Sequence, residues 1–188
     1  MRRVAAVIAV LALAFVVEYV RGSSHEPGPV RDVGVVASPP IPALAFPAQV
    51  VRVVDGDTFV ARPSGAGPPV RVRIVGADTP ETVKPGVPVR CFGPQASRFT
   101  KRLLAPGAWV RAAYEEGDHT DRYGRQLWDV WLPDGRFLEA VLVASGAARA
   151  YPFAPHLDNA ALLARLQQQA RAARRGLWGS PCDGNSFG

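Results

Sequence analysis

The chain has 188 residues, which suffice for one ordinary domain with appendages but not for several independent hydrophobic cores. Its 22 Lys and Arg residues outnumber 16 Asp and Glu, and the resulting net charge of +6 favours a polyanionic partner. Charge alone does not separate a nucleic acid from a membrane surface, and many exported proteins are also basic. The two cysteines are too few to build a structural zinc site.

The first residues have the pattern of an export signal. Arg2 and Arg3 precede an unbroken apolar run at residues 4–17, as in the charged and apolar regions of such signals. The run is shorter than the roughly 20 residues of a typical membrane-spanning helix, yet no small-residue cleavage site follows it. We therefore predict a signal peptide or membrane anchor at residues 1–21, with a membrane tether at residues 4–20, and an exported chain that is secreted or anchored.

A Pro-rich stretch follows at residues 22–47. Proline-dense segments such as residues 39–42 cannot enter a helix or a central strand, which predicts an extended linker. We place a single domain at residues 48–182 and a flexible tail at residues 183–188.

The cysteines, Cys91 and Cys182, predict a disulfide. Thiol pairs outside the cytosol are normally oxidised, and two buried free thiols are the alternative. In the chain-entropy treatment, closing a loop of about 90 residues stabilises the fold by roughly 4 kcal/mol.

Short β-branched and aromatic runs after the linker predict five strands, at residues 49–54, 58–62, 70–77, 109–114 and 126–132. Five strands is about the size of an OB-type barrel. In the third strand, Val72 and Ile74 alternate with Arg71 and Arg73. Since side chains alternate across a strand, this alternation predicts that Arg73 lies on the outer face of the barrel wall.

Apolar residues at helical spacing predict three helices. The first begins at Pro94 and ends before Pro106, and the second covers residues 137–145. The third begins near Asp158 as its N-cap and ends before Gly176. The expected fold class is therefore α+β: a five-stranded OB-fold barrel with three α-helices, preceded by the hydrophobic segment and the linker.

Carboxylates follow two of the predicted strands. Residues 55–58 read Asp-Gly-Asp-Thr, a sequence typical of a hairpin turn. Residues 78–81 read Asp-Thr-Pro-Glu, where the proline fixes a tight turn. Together they would form a cluster of hard oxygen ligands suited to calcium, although solvated acidic turns are common. Residues 120–125 add Arg125 beside a third turn, where this arginine is also compatible with a simple surface charge.

The order of these motifs resembles the staphylococcal nuclease, or thermonuclease, family. The shared series is Val-Asp-Gly-Asp-Thr, Arg-x-x-x-x-Asp-Thr-Pro-Glu, Phe-Gly-Pro-x-Ala, Asp-Arg-Tyr-Gly-Arg and Gly-Leu-Trp. These blocks stand here at residues 54–58, 73–81, 92–96, 121–125 and 176–178. The resemblance covers about residues 49–178 in the correct order.

The resemblance implies a metal site and a catalytic base. Asp57 and Asp78 match the calcium carboxylates of the family, the Thr79 carbonyl matches a third ligand, and Asp55 matches an acidic residue of the outer shell. Glu81 matches the residue that acts as general base for the attacking water or orders that water.

The resemblance also implies the groups that bind substrate. Arg73 and Arg125 match the two guanidiniums that hold the scissile phosphate, and Arg122 and Tyr123 match groups near a terminal phosphate. Tyr151 matches a tyrosine that stacks on a base, with packing as the alternative for this ring.

The implied function is that of a calcium-dependent nuclease that cleaves DNA and RNA with little sequence specificity and leaves 3′-phosphate ends. Single strands would be preferred, and we expect a monomer. A catalytically silent OB-fold module that binds nucleic acid is the alternative, but such a module would not need Glu81. The chain departs from the family at residues 137–140, where an Asn-Glu pair is common and Leu138 precedes Glu139 here.

Overall fold

The computed structural model describes residues 27–64, 67–83, 86–153, 155 and 158–187. The signal or anchor predicted for residues 1–21, with its tether at residues 4–20, lies outside the described residues. Within those ranges, none of the helices combines the length and apolar character needed to span a bilayer.

The described residues form seven strands. They are β1 (Phe46–Asp55), β2 (Thr58–Pro63), β3 (Val70–Ile74), β4 (Ala77–Asp78), β5 (Trp109–Ala113), β6 (Gln126–Trp131) and β7 (Arg149–Ala150). Five of them close a barrel in the order β1-β2-β3-β6-β5, and β4 pairs with β7 in a separate two-stranded sheet. All pairings are antiparallel except that of β3 with β6. Closure leaves the barrel without a free edge, because each strand has two neighbours.

Three α-helices accompany the barrel in the described ranges, and a 3₁₀ turn at Gly176–Trp178 follows the last. They are α1 (Gly93–Leu103), α2 (Leu138–Ala144) and α3 (Ala160–Ala172). The expected fold class, α+β with a five-stranded OB-fold barrel and three helices, is confirmed. The predicted N-cap of α3 is wrong by one residue, because Asn159 holds that position and its side chain turns inward to donate to Asp129.

Side chains on the inward face of each strand fill the barrel interior. Val72 and Ile74 are at most 1 % exposed, as their alternation with the arginines predicts. Trp128 of β6 packs edge-on against Phe46 and Phe59. Large side chains buried to this degree each stabilise the fold by about 1.5–3 kcal/mol.

The Pro-rich segment is irregular, but its described part lies against the domain. Val30 and Val36 are buried. The Trp131 indole donates a 3.0 Å hydrogen bond to the Pro39 carbonyl, and the Phe137 N–H donates one of 3.0 Å to the Ser38 hydroxyl. Residues 27–45 therefore differ from the extended linker expected, because a carbonyl and a hydroxyl of this segment accept hydrogen bonds from β6 and from Phe137, the residue before α2.

The C-terminal segment is also packed. The predicted disulfide is confirmed: Cys91 and Cys182 are bonded, with Cα atoms 5.8 Å apart. Beyond it Ser186 is fully buried, and the Phe187 ring lies 3.9 Å from the Arg149 guanidinium. The described part of residues 183–188 thus lies on the domain instead of extending from it as a flexible tail.

Acidic side chains meet in the interior between β6 and α2. Glu139 is fully buried; its Oε1 accepts a 3.2 Å hydrogen bond from the Val130 N–H, and its Oε2 has no partner among the described residues. Asp129 accepts a 2.9 Å hydrogen bond from Asn159 Nδ2 and makes no ion pair within the described ranges. Glu139 directly follows Leu138, the position at which the chain departs from the Asn-Glu pair common in the family.

Burial of these groups favours their neutral forms. Burial, followed by the charges of Glu115 and Asp158, raises the pKa of Asp129 to about 8. Burial, followed by the charge of Asp158, raises the pKa of Glu115 to about 7. Burial, followed by the charge of Asp129, raises the pKa of Glu139 well above its ordinary value. The folded chain therefore retains protons at neutral pH that the unfolded chain releases.

We expect the stability of the fold to decrease as the pH rises. The contribution of these carboxyls is complete below about pH 4 and is lost towards about pH 8, at about 1.4 kcal/mol per pH unit for each retained proton. Urea denaturation in EGTA at several pH values would measure this slope. Asp129→Asn retains an oxygen that can accept the hydrogen bond from Asn159 and should reduce the dependence of the unfolding free energy on pH. Asp118→Asn, which replaces an exposed carboxylate, should leave this dependence unchanged. A free energy of unfolding that increases over this range would contradict the prediction.

Candidate active site

Most of the predicted site residues meet in one cleft of about 430 Å³ at the end of β1, β2 and β3. The cleft is lined by Val54, Asp55, Asp57, Thr58, Arg71, Arg73, Asp78, Thr79, Glu81, Val83, Tyr123 and Arg125. Two predicted residues, Arg122 and Tyr151, do not line it. A larger cavity of about 630 Å³, between the N-terminal segment and the turn after α3, contains none of the predicted residues.

A tight turn between β1 and β2 positions Asp57. Asp55 pairs with Thr58 across the hairpin, so Gly56 and Asp57 form the turn expected from Asp-Gly. Asp57 Oδ2 accepts hydrogen bonds from the Thr79 N–H at 2.9 Å and from its hydroxyl at 3.1 Å. A Cβ on Gly56 would lie 2.6 Å from the Thr79 hydroxyl oxygen, so the close approach of the two turns requires glycine there.

Arg73 joins the carboxylates on either side of it. Its side chain leaves β3 on the face opposite Val72 and Ile74, but β4 covers it, and only 9 % of the residue is exposed. One guanidinium nitrogen donates to the carbonyl groups of Ile74 and Ala77. The other lies 3.0 Å from Asp78 Oδ1 and 3.4 Å from Asp57 Oδ2. Asp57 and Asp78 therefore approach the same guanidinium nitrogen.

Asp78 has a second cationic neighbour that sequence reasoning missed. Arg149 of β7 is its register partner, and two of its guanidinium nitrogens lie 2.9 Å from Asp78 Oδ2. Burial is the largest effect on Asp78 and raises its pKa, and the negative charge of Asp57 raises it further. The positive charges of Arg73 and, to a smaller extent, Arg149 oppose this increase. No sequence signal indicated Arg149, because β4 and β7 are each only two residues long.

Hydrogen bonds to two carboxylates fix the turn that carries Glu81. Asp55 Oδ1 accepts hydrogen bonds from the Gly56 N–H at 2.8 Å and from the Thr82 hydroxyl at 2.5 Å. Glu81 Oε1 accepts hydrogen bonds from the N–H groups of Thr82 at 3.0 Å and Val83 at 2.9 Å. Burial raises the pKa of Asp55, and the neighbouring Asp57 adds to this effect. Asp55 thus ties the Glu81 turn to the end of β1.

The segment that leads into α1 packs against the same turn. The Arg90 N–H donates a 2.9 Å hydrogen bond to the Glu81 carbonyl. A Cβ on Gly93 would lie 2.6 Å from Thr82 Cγ2 and 3.0 Å from the Glu81 carbonyl oxygen. The glycine of the Phe-Gly-Pro motif is therefore required for this close packing.

The turn before β6 presents Arg125 and Tyr123. Asp121 Oδ1 accepts hydrogen bonds from the N–H groups of Tyr123 and Arg125, both at 2.9 Å, and its Oδ2 pairs with the Arg125 guanidinium at 2.6 Å. The Tyr123 ring is 65 % exposed and lies 4.8 Å from the Arg122 guanidinium and 5.5 Å from that of Arg125. This turn thus directs one guanidinium into the cleft and leaves Arg122 at its rim.

Tyr151 lies beside the cleft. It is 46 % exposed, and its N–H donates a 2.7 Å hydrogen bond to the Gly76 carbonyl. The Arg149 guanidinium lies 5.0 Å from its ring. Tyr151 and Phe187 thus contact the arginine that pairs with Asp78.

The donor set of the cleft fits calcium in its chemistry. No group of three or more His, Cys, Asp or Glu side chains in the described ranges could hold a metal by itself. The predicted set instead combines two carboxylates, Asp57 and Asp78, with a backbone carbonyl at Thr79. These are hard oxygen ligands, and calcium accepts carbonyl groups and waters beside carboxylates.

A closed OB-fold barrel with a cleft that joins carboxylates to guanidiniums defines a class of protein built to act on phosphate esters. Residues 71–180 match the family described as staphylococcal nuclease homologue, and the chain belongs to this family. It is accordingly a nuclease, an enzyme that hydrolyses the phosphodiester bonds of nucleic acids.

Relatives cover most of the chain. The thermonuclease of Staphylococcus hyicus is 40 % identical over 130 residues, which are 69 % of this chain and 74 % of the relative. The thermonuclease of Staphylococcus intermedius is 35 % identical over 181 residues, 95 % of this chain and 99 % of the relative. Endonuclease YncB of Bacillus subtilis (strain 168) is 34 % identical over 128 residues, 68 % of this chain and 59 % of the relative.

Proposed function

We propose that the chain is an exported, calcium-dependent nuclease that cleaves DNA and RNA with little sequence specificity and leaves 3′-phosphate ends. The observation that carries this proposal is the convergence of Asp57, Asp78, Glu81, Arg73 and Arg125 in one cleft. Nucleic acid binding alone would need the arginines but not a carboxylate beside them. The disulfide supports an extracytoplasmic location, since such bonds persist in oxidising compartments. We propose a monomer.

Asp57, Asp78 and the Thr79 carbonyl would hold calcium. When bound, the ion supplies positive charge for the phosphate oxygens and favours deprotonation of a water. Hydrogen bonds within the protein already orient the two carboxylates that would bind the ion. Thr79 donates two hydrogen bonds to Asp57, and Arg149 donates one to Asp78.

Glu81 would act as general base for the attacking water. A carboxyl group with an ordinary pKa is ionised at neutral pH and can accept a proton. The N–H groups of Thr82 and Val83 orient this carboxylate. In the reaction the water oxygen bonds to phosphorus, its proton passes to Glu81, and the bond from phosphorus to the 5′ oxygen breaks. The leaving oxygen takes a proton from solvent, and the phosphate stays on the 3′ side.

Arg73 and Arg125 would bind the scissile phosphate. Negative charge grows on the equatorial oxygens in the transition state, and fixed cations aimed at those oxygens lower the barrier. Arg122 and Tyr123 would contact a neighbouring phosphate, and Tyr151 would stack on a base. Contacts to phosphate carry no base information, which accounts for the low sequence specificity proposed.

Removal of calcium provides the test. We expect the purified chain to fragment denatured DNA in calcium, to stop in EGTA, and to resume when excess calcium is added. The products should be extended by a polymerase only after phosphatase treatment, because a 3′-phosphate blocks extension. Cleavage that persists in EGTA, or ends that extend directly, would contradict the calcium requirement or the product assignment, respectively.

A further inference from the structure

The strand pairing continues outward from the cleft in successive rungs on β1, β2, β3 and β5, where two β-bulges in β1 keep Asp55, Arg52 and Gln49 opposite alternate residues of β2. In order from the cleft the rungs are Asp55, Thr58 and Arg73; then Arg52, Val60 and Arg71; then Trp109, Gln49 and Arg62. Adjacent rungs are two residues apart along β2, or about 6.6 Å. The first rung belongs to the site already described, and the other two have no assigned role.

The two outer rungs lie on the outer face of the barrel wall, on the same side as the cleft, although Val60 is only 8 % exposed and Gln49 and Arg62 are half-buried. Residues paired across strands project to the same face. The intervening positions, such as Phe59, Ala61 and Val72, are at most 1 % exposed and fill the barrel. Arg52 and Arg71 are exposed, and Trp109 is 47 % exposed.

The outer rungs are cationic. Among the described residues, no carboxylate lies within ion-pairing distance of Arg52, Arg62 or Arg71. Neither outer rung contains Asp or Glu. Arg71 also lines the cleft itself, so the positive surface is continuous with the pair of guanidiniums proposed for the scissile phosphate.

We propose that Arg71, Arg52, Arg62 and Trp109, the basic ladder, form a binding surface for single-stranded nucleic acid on one side of the cleft. The arginines bind successive phosphates, and Trp109 stacks on an unpaired base. Arginines along a groove together with an exposed aromatic ring are the features that bind single strands without sequence preference. A duplex offers no free base face to Trp109. The inference rests on the proposed function and extends it to nucleotides beyond the scissile phosphate.

The test measures binding without cleavage. The probe is a fluorescently labelled oligodeoxynucleotide of about a dozen nucleotides, a length within the range that one OB fold binds. It is titrated with the full chain in EGTA, and fluorescence anisotropy gives Kd at several salt concentrations. The double variant R52A/R71A should bind roughly tenfold or more weakly. Its slope of log K against log salt should be smaller by about 1.4, since each lost phosphate contact on a single strand removes about 0.7.

The matched control is R98A/K101A on α1. It removes the same charge from exposed positions that do not line the cleft. If the ladder is correct, the control retains most of the affinity, and Trp109→Ala loses roughly tenfold for single strands because base stacking contributes that much. Equal losses in both double variants, or an unchanged Kd and salt slope in R52A/R71A with a native melting curve, would overturn the proposal.

The result is separable from the nuclease proposal. If the wild-type chain fails to cleave in calcium but shows ladder-dependent binding in EGTA, the proposed catalysis fails while the ladder stands. If it cleaves normally while the ladder variants bind as wild type, the ladder fails alone.

Discussion

Replacing Glu81 by Gln is expected to lower turnover on denatured DNA by about 10²–10³-fold. The amide oxygen can still accept the hydrogen bonds that Thr82 and Val83 donate to Glu81, so the turn is retained. The amide cannot take a proton from the attacking water. Turnover in saturating calcium, with the melting temperature measured in parallel, checks this expectation.

Glu116→Gln is the control for this substitution. Glu116 is exposed after β5 and does not line the cleft, so the same chemical change there should leave turnover near the wild-type value. Full activity in Glu81→Gln would remove the general-base assignment. A loss of activity accompanied by unfolding would instead indicate a structural role for the turn.

Replacing Arg125 by Ala is expected to cost a similar factor, about 10²–10³ in kcat. Arg125 is the better of the two phosphate-binding arginines to test, because within the described residues its side chain contacts only its own turn, at Asp121 and Tyr123. Arg73, in contrast, bonds two carbonyl groups and two carboxylates of the fold. The loss should be greater in kcat than in KM, since the interaction strengthens in the transition state.

Arg122→Ala removes the same charge three residues earlier in the same turn. Its guanidinium contacts the exposed Tyr123 at the rim of the cleft, so we expect a smaller effect, mainly on KM. An Arg122→Ala variant as impaired in kcat as Arg125→Ala would show that net charge, and not position, decides the rate.

The barrel could be predicted from the sequence because its strands are long enough to show a period. Alternation of Val72 and Ile74 with arginines identified the inner face of β3, and Asp-Gly located the turn before Thr58. The same local signals placed Asp57 and Asp78 at strand ends, and the ordered motifs added Glu81 and Arg125. The roles of these residues in the reaction remain predictions.

The remaining features depend on contacts that leave no local pattern. The pairing of Asp78 with Arg149 joins two-residue strands, which are too short to show a period. The Pro-rich segment is predicted to be an extended linker because its composition excludes regular structure, but irregular backbone still offers carbonyls such as that of Pro39 to the buried Trp131 indole. Packing of Phe187 on Arg149 likewise depends on the path of the chain after Cys182.

The disulfide reaches both carboxylate-bearing walls of the cleft. Cys91 lies between Arg90, which bonds the Glu81 carbonyl, and Gly93, which packs against the same turn. Cys182 precedes Phe187, which lies on the arginine that pairs with Asp78. Before the thiols are oxidised, no covalent bond links the segment at Cys91, which packs on the Glu81 turn, to the segment at Cys182, which leads to Phe187. The covalent link between the two walls therefore forms only where the compartment in which the chain folds oxidises these thiols.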